Sequence, residues 1–263
     1  MTPTRIAIVG AAGRMGQRLV ALTAADPLLE VVAAIESAGH PQLGEDSGLV
    51  AGIKANGVPI TAKLGPNVGV VIDFSSPKGM DALLDSCIAH QTPLVYATTG
   101  LSPEQETRLR EAARQIPLLW SPSMSMTVIL GMRLAQEAAK VLKDKDADVE
   151  IVEHHHRYKA DAPSGTALKF GQIIAAEMGI DHFLHGREGK IGARPHDEIG
   201  YHAVRIGDNP GQHTILFGLL GETLELTIKA SNRDAYALGA FAAAKFLFGK
   251  PVGLYDMNDV LFQ

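Results

Sequence analysis

The chain has 263 residues, 46% of them hydrophobic and 20% charged, with a formal net charge of -5. An acidic balance of this kind excludes a general nucleic-acid or membrane-surface binder, which carries a basic excess, and no apolar run is long enough to span a bilayer. The single cysteine rules out an internal disulfide and fits a reducing compartment. The start MTPTRIAIVGAAG lacks a leader pattern, so a cytoplasmic protein is expected. Cys87 itself, in the helical run MDALLDSCIAH, reads as a small buried apolar residue.

In chain order, RIAIV predicts a short buried strand ended by glycine, and RMGQRLVALTAA has helical spacing. EVVAAIE and VGVVIDF read as the second and third strands. SSPKGMDALLDSCIAHQ reads as a helix with Ser76 as cap and Pro77 at its first position. PLVYATTG is a strand, SPEQETRLREAARQ a helix again opened by Ser-Pro, and IPLLWSPS one more strand. Continuous apolar strands between amphipathic helices imply a parallel sheet covered on both faces, which is the doubly wound nucleotide-binding plan.

The pattern changes after about Ser123. A long helix, VILGMRLAQEAAKVL, leads into DVEIVEHHH, and a helix from Thr166 to about Met178 ends at Gly179. IGYHAVRI, HTILFGLL and TLELTIKA are strand-like runs joined by the turn signals GDNPG and GE. The expected fold is therefore α/β. A Rossmann-type doubly wound parallel sheet spans 1-125, with 234-263 returning to it through the apolar helix DAYALGAFAAAKFLFG. A second α+β domain with a mixed or antiparallel sheet spans 126-233.

IAIVGAAGRMGQRLV places Gly10, Gly13 and Gly16 between the first strand and the first helix. Glycines there permit a tight turn and let a pyrophosphate approach backbone N–H groups at the helix start. The spacing, G-x-x-G-x-x-G, is weak alone and also suits a turn that merely needs glycine. It gains force from Glu36, which ends the second strand and is placed to accept hydrogen bonds from ribose hydroxyls. A carboxylate there repels a 2′-phosphate. Ser37 offers no charge to hold one, and Arg14 is the cation at hand. NADH is expected to serve at least as well as NADPH.

EHHHRYKADAPSGTAL, Glu153 to Leu168, concentrates positive charge on an acidic chain and so implies a small anionic partner. Neighbouring histidines on an extended segment point to opposite faces, and no zinc-like spacing occurs, so no metal is expected. His154 reads as a solvated bystander. Ser164, Gly165 and Thr166 open a helix whose amino end suits a carboxylate. Histidine titrates near neutrality, and a lysine among cations can act as an acid. His155 and Lys159 are thus candidates to bind an anion and protonate the product of a hydride addition.

The segment EHHHRYKADAPSGTAL, with VGAAGRMG, DFSSP, TTG, REG and KASNR in the same order, resembles the 4-hydroxy-tetrahydrodipicolinate (dihydrodipicolinate) reductase family over nearly the whole chain. The resemblance implies reduction of a cyclic imine dicarboxylate by NADH or NADPH in lysine and diaminopimelate synthesis. It implies His155 as catalytic acid/base and Lys159 as proton donor. His156, Lys159, Gly165 and Thr166 would bind substrate carboxylates. Gly10, Ala11, Ala12, Gly13, Arg14 and Met15, with Glu36, would hold the adenosine and pyrophosphate. Ala97, Thr98 and Thr99, with Ser121, Pro122, Ser123 and Met124, would line the nicotinamide side, and Arg233 would approach the cofactor. A homotetramer assembled through the second sheet is implied as well.

Departures from the family pattern lie along the nicotinamide edge. Ala97 replaces the first glycine of GTTG, Ser76 a commonly larger or basic residue, and Ser123, Thr127 and Ile129 stand in a run that usually carries asparagine and glycine. A nucleotide-sensing protein that kept the fold and lost the chemistry is the rival expectation. A short-chain-type reductase is a poorer one, because no tyrosine here has lysine four residues later.

Overall fold

The computed structural model describes residues 2–262. Contacts divide the chain into two units, one running to Ser125 and resuming at Arg233, the other Met126–Asn232. In chain order the strands are β1 (Thr4–Val9), β2 (Leu29–Ile35), β3 (Ile60–Thr61), β4 (Val70–Asp73), β5 (Leu94–Tyr96), β6 (Pro117–Trp120), β7 (Asp148–His155), β8 (His182–His185), β9 (Glu198–Arg205), β10 (Gln212–Leu219), β11 (Glu222–Lys229) and β12 (Gly253–Tyr255). The helices are α1 (Arg14–Thr23), α2 (Ser47–Val50), α3 (Met80–Ala89), α4 (Pro103–Ala112), α5 (Met126–Leu142), α6 (Gly165–Met178), α7 (Asp234–Leu247) and α8 (Met257–Leu261).

The first unit is a parallel sheet in the order β12-β6-β5-β4-β1-β2-β3. Every residue of β4 and the last four of β1 are buried, as strands covered on both faces must be. Leu84 and Leu109 close the core over β1, β4 and β5, and α7 packs on β4, β5 and β6. Strand order reverses between β1 and β4, so their carboxyl ends flank the switch point where such sheets bind ligands.

The second unit is a mixed sheet in the order β11-β10-β7-β9-β8. β7 alternates half-buried and buried residues along its length, the signature of a sheet packed on one face only. Ile151, Ile215, Phe217 and Tyr201 turn to the buried face, where Phe170 and Ile174 of α6 are also fully enclosed.

The doubly wound sheet and the mixed sheet are both as expected, and two local readings are corrected. GDNPG does not close a hairpin, because β7 lies between β9 and β10. The loop crosses the end of β7 instead, with Ile206 N–H donating to His155 C=O at 2.9 Å and Arg157 N–H to Gly207 C=O at 3.1 Å. Ser76 does not cap α3 either. Pro77–Gly79 forms a 3-10 turn first, and the helix begins at Met80. The short elements β3, β8, β12, α2 and α8 carried too few residues to show a period.

Candidate active site

A cavity of 840 Å³ opens at the switch point of the first unit. Its walls include Gly10 and Gly13 after β1, Glu36 and Ser37 after β2, and Ser75 and Ser76 after β4. Gly10 sits at φ 76°, and a Cβ there would lie 3.1 Å from Ser75 Cα. A Cβ on Gly16 would fall 2.0 Å from Gly10 C=O, so only glycine lets α1 meet the turn this closely. Gly13 caps α1 without a side-chain bond, which leaves the first-turn N–H groups of Arg14 and Met15 without helical partners.

Glu36 is held at the cavity wall from both sides. Its Oε1 accepts from Ala12 N–H at 3.1 Å and its Oε2 from Ser37 N–H at 3.3 Å, with lone pairs to spare for hydroxyl donors. The N–H groups of Gly10 and Ala11 are spent on Ile35 C=O and do not point to a ligand. This cradle of glycine turn, helix start and carboxylate fits the adenosine and pyrophosphate of a dinucleotide. Lys63 and Lys78 also line the cavity. Neither belongs to a motif, so no local pattern singles them out.

The predicted nicotinamide residues follow β5 and β6, and none lines this cavity. Thr98 is buried and donates to Asp73 Oδ2 at 2.9 Å. Asp73 Oδ1 takes Ser75 N–H at 3.0 Å and Ser75 Oγ–H at 2.5 Å, so one carboxylate ties the loops after β4 and β5 together. Burial pushes the Asp73 carboxyl up against these bonds. Ala97 is half-buried and Thr99 exposed. Ser121 Oγ is buried with no hydrogen-bond partner among the described residues. Pro122 is exposed, Ser123 Oγ accepts from Ser125 N–H, and Met124 is buried. Arg233 is exposed at the cap of α7.

The second unit builds a different site from the register of its sheet. Glu153 and His155, two residues apart on β7, share its buried face. Across the ladders His213 on β10 stands opposite Glu153, and Arg205 on β9 opposite His155. His155 Nδ1 is 2.5 Å from Glu153 Oε2. Arg205 clasps the same carboxylate with Nη1–H to Oε2 at 2.8 Å and Nη2–H to Oε1 at 2.7 Å. Ser164 N–H adds a fourth bond, to Oε1 at 3.1 Å. Ser164 also caps α6 through Ala167 N–H, and its Oγ lies 2.9 Å from His213 Nε2.

These contacts set the charges. Burial pushes the Glu153 carboxyl up, but the hydrogen bonds from Arg205 and His155 outweigh it and hold it below the usual carboxylate range. Burial lowers His155 below the ordinary imidazole value, Glu153 opposes that, and the charges of Lys159 and Arg205 reinforce it. His213 is pushed down to about 4, chiefly by burial and then by the His155 charge. An ionised carboxylate only accepts, so Nδ1 of His155 carries the proton and Nε2 is the atom left to exchange one.

Lys159 lies in the turn after β7, its Nζ 2.9 Å from Asp161 Oδ1. His156 Nδ1 is buried without a hydrogen-bond partner among the described residues. Gly165 and Thr166 form the first turn of α6. His154 falls on the half-exposed face, opposite Gln212. The unit thus gathers His155, Lys159 and a helix amino end, the groups needed to hold an anion and move a proton. The reading of the sequence missed Glu153, Arg205 and His213. Only Glu153 left a trace there, as the acid two places before a histidine on a strand.

Comparison with known proteins covers nearly the whole chain. The family described as "Dihydrodipicolinate reductase, N-terminus" matches residues 4–124, and "Dihydrodipicolinate reductase, C-terminus" matches 127–261. The 4-hydroxy-tetrahydrodipicolinate reductase of Rhodopirellula baltica is 53% identical over 98% of this chain and 96% of its own length. That of Methylococcus capsulatus is 44% identical over 98% and 97%. Among solved structures, a dipicolinate-bound dihydrodipicolinate reductase from Paenisporosarcina sp. TG-14 matches with a TM-score of 0.77, at 25% identity and over 99% of this chain and 100% of its own.

Proposed function

The chain belongs to the dihydrodipicolinate reductase family, and we propose that His155 and Lys159 carry out the proton chemistry of its reaction. It is an oxidoreductase that reduces 4-hydroxy-tetrahydrodipicolinate to tetrahydrodipicolinate with NAD(P)H, in lysine and diaminopimelate synthesis. A nucleotide sensor without activity is not favoured, since the near-full-length relatives are named reductases.

The bond that carries the site reading is His155 Nδ1 to Glu153. It engages Nδ1 and leaves Nε2 as the proton-exchanging atom, near the charge of Lys159. Bound nicotinamide supplies the hydride. Lys159 binds a substrate carboxylate and delivers the proton that the reduced ring needs at carbon. His155 answers the charge gained by the ring nitrogen. His156, Gly165 and Thr166 hold the carboxylates, a role supported by the unpartnered His156 Nδ1 and the amino end of α6.

In the first unit, Gly10 to Met15 and Glu36 hold the adenosine and pyrophosphate. Ala97 to Thr99, Ser121 to Met124 and Arg233 serve the nicotinamide end. Glu36 supports NADH as a cofactor at least as good as NADPH, while Lys63 and Lys78 bring the positive charge that admits the latter. The enzyme works in the cytoplasm on a small dicarboxylate. A homotetramer is supported by the half-exposed face of the second sheet and its exposed edge strand β11. No described helix is long and apolar enough to cross a membrane.

The test is a coupled assay. The preceding synthase makes the substrate in place, NADH or NADPH is added, and absorbance is followed. Oxidation nearly vanishes in Lys159→Ala and falls by at least about 100-fold in His155→Ala, while both variants still bind NADH. Retained turnover in the double variant removes the assignment.

A further inference from the structure

We propose that Glu153 is a positioning residue for the reaction, fixing His155 in the Nδ1–H form and holding its Nε2 on the reactive side. The inference rests on the role given to His155 above and adds a second group through which that role depends on the fold. Three observations carry it. Glu153 is 1% exposed yet ionised, a state a carboxylate reaches in such a place only when fully paired. Its four bonds come from three separate points of the chain, two from Arg205 on β9, one from the Ser164 amide at the start of α6 and one from His155 two residues along β7. Finally, Nδ1 of His155 lies within hydrogen-bond reach of Glu153 Oε2, so the imidazole and the carboxylate are directly joined.

Arg205 and Ser164 leave Glu153 little freedom to turn, so the carboxylate is a fixed peg. The imidazole is then located by the bond rather than by packing alone. His213 meets it edge-on, the ring centroids 5.3 Å apart. A ring flip would put Cδ2–H against Glu153 in place of Nδ1–H, breaking the bond and moving Nε2 off its line.

Groups facing His155 decide the sign of the pH response. Glu153 raises its proton affinity, Lys159 and Arg205 lower it, and burial lowers it most. His213 remains neutral near pH 7 and Lys159 is paired with Asp161. Replacing the carboxylate by an amide removes the one favourable charge. In Glu153→Gln the limb of the kcat/KM profile on which His155 loses its proton therefore moves to lower pH.

The experiment uses the full-length protein labelled with 15N-histidine. In the wild type, neutral His155, assigned from its loss in His155→Ala, reports a protonated Nδ1. Glu153→Gln lowers kcat on the order of 100-fold, leaves the KM for NADH near the wild-type value, and shifts the profile to lower pH. Glu153→Asp, which keeps the charge, restores the wild-type position of that limb. A merely structural glutamate would change stability and leave the limb where it was. An Nε2–H tautomer in the wild type overturns the proposal without any variant. A wild-type profile in folded Glu153→Gln, with His155→Ala inactive, overturns it while sparing the catalytic histidine. Full activity in His155→Ala removes both.

Discussion

Acid should loosen the second unit through His213. The ring is 5% exposed, bonded to Ser164 Oγ at 2.9 Å, tilted against Phe170 at 6.3 Å and edge-on to His155. Burial and the neighbouring His155 charge push it down from 6.5 to about 4. The folded protein therefore binds this proton more weakly than the unfolded chain does. Stability from His213 is complete above pH 6.5, falls as pH drops below it, and is gone by about pH 4. The gap is worth about 3 kcal/mol in all, and about 2.5 kcal/mol of it is lost by pH 4.5. The perturbation is His213→Gln, which keeps a polar partner for Ser164 and does not titrate. Urea unfolding of both proteins at pH 7.5 and 4.5 is followed by far-ultraviolet circular dichroism. Tryptophan fluorescence is recorded alongside, since Trp120 reports on the first unit. Taking the difference cancels the carboxylates common to both proteins. Wild type should lead at pH 7.5 and lose about 2.5 kcal/mol of that lead at pH 4.5. An unchanged difference, or a His213 resonance titrating near 6.5, would refute the reasoning.

Two further outcomes concern the cofactor cradle. Gly16→Ala forces a Cβ to within 2.0 Å of Gly10 C=O and 2.6 Å of Ala11 Cα, both backbone. It should weaken NADH binding at least about tenfold or prevent folding of the first unit, read by calorimetric titration and circular dichroism; wild-type binding would show the turn to be slack. Lys63→Ala and Lys78→Ala should raise the KM for NADPH up to about fivefold at low salt and leave that for NADH unchanged. Equal effects on both cofactors would mean neither lysine meets the 2′-phosphate.

The sequence by itself determined what depends on neighbours along the chain. Buried runs such as VVID and the one-face alternation of DVEIVEHH specify their strands, because side-chain direction repeats every two residues. Gly10, Gly13 and Gly16 specify a turn that only glycine fits, and Glu36 follows at the end of the next strand. His155 and Lys159 are legible because a short segment holds them both. Tertiary structure alone decided which residues meet them. Arg205 lies 52 residues beyond Glu153, and His213 reaches its place because β10 pairs with β7 in one register. A shift of that register by one residue would turn His213 to the open face. The GDNPG turn misled for the same reason: a local signal fixes where the chain bends, not which strand receives it. Lys63 follows β3 and Lys78 follows β4, and they line one cavity only because the parallel sheet brings the carboxyl ends of those strands to the same edge. Local pattern sets an element's faces, but charge and proton affinity at a buried site follow from groups the fold draws together across the sheet.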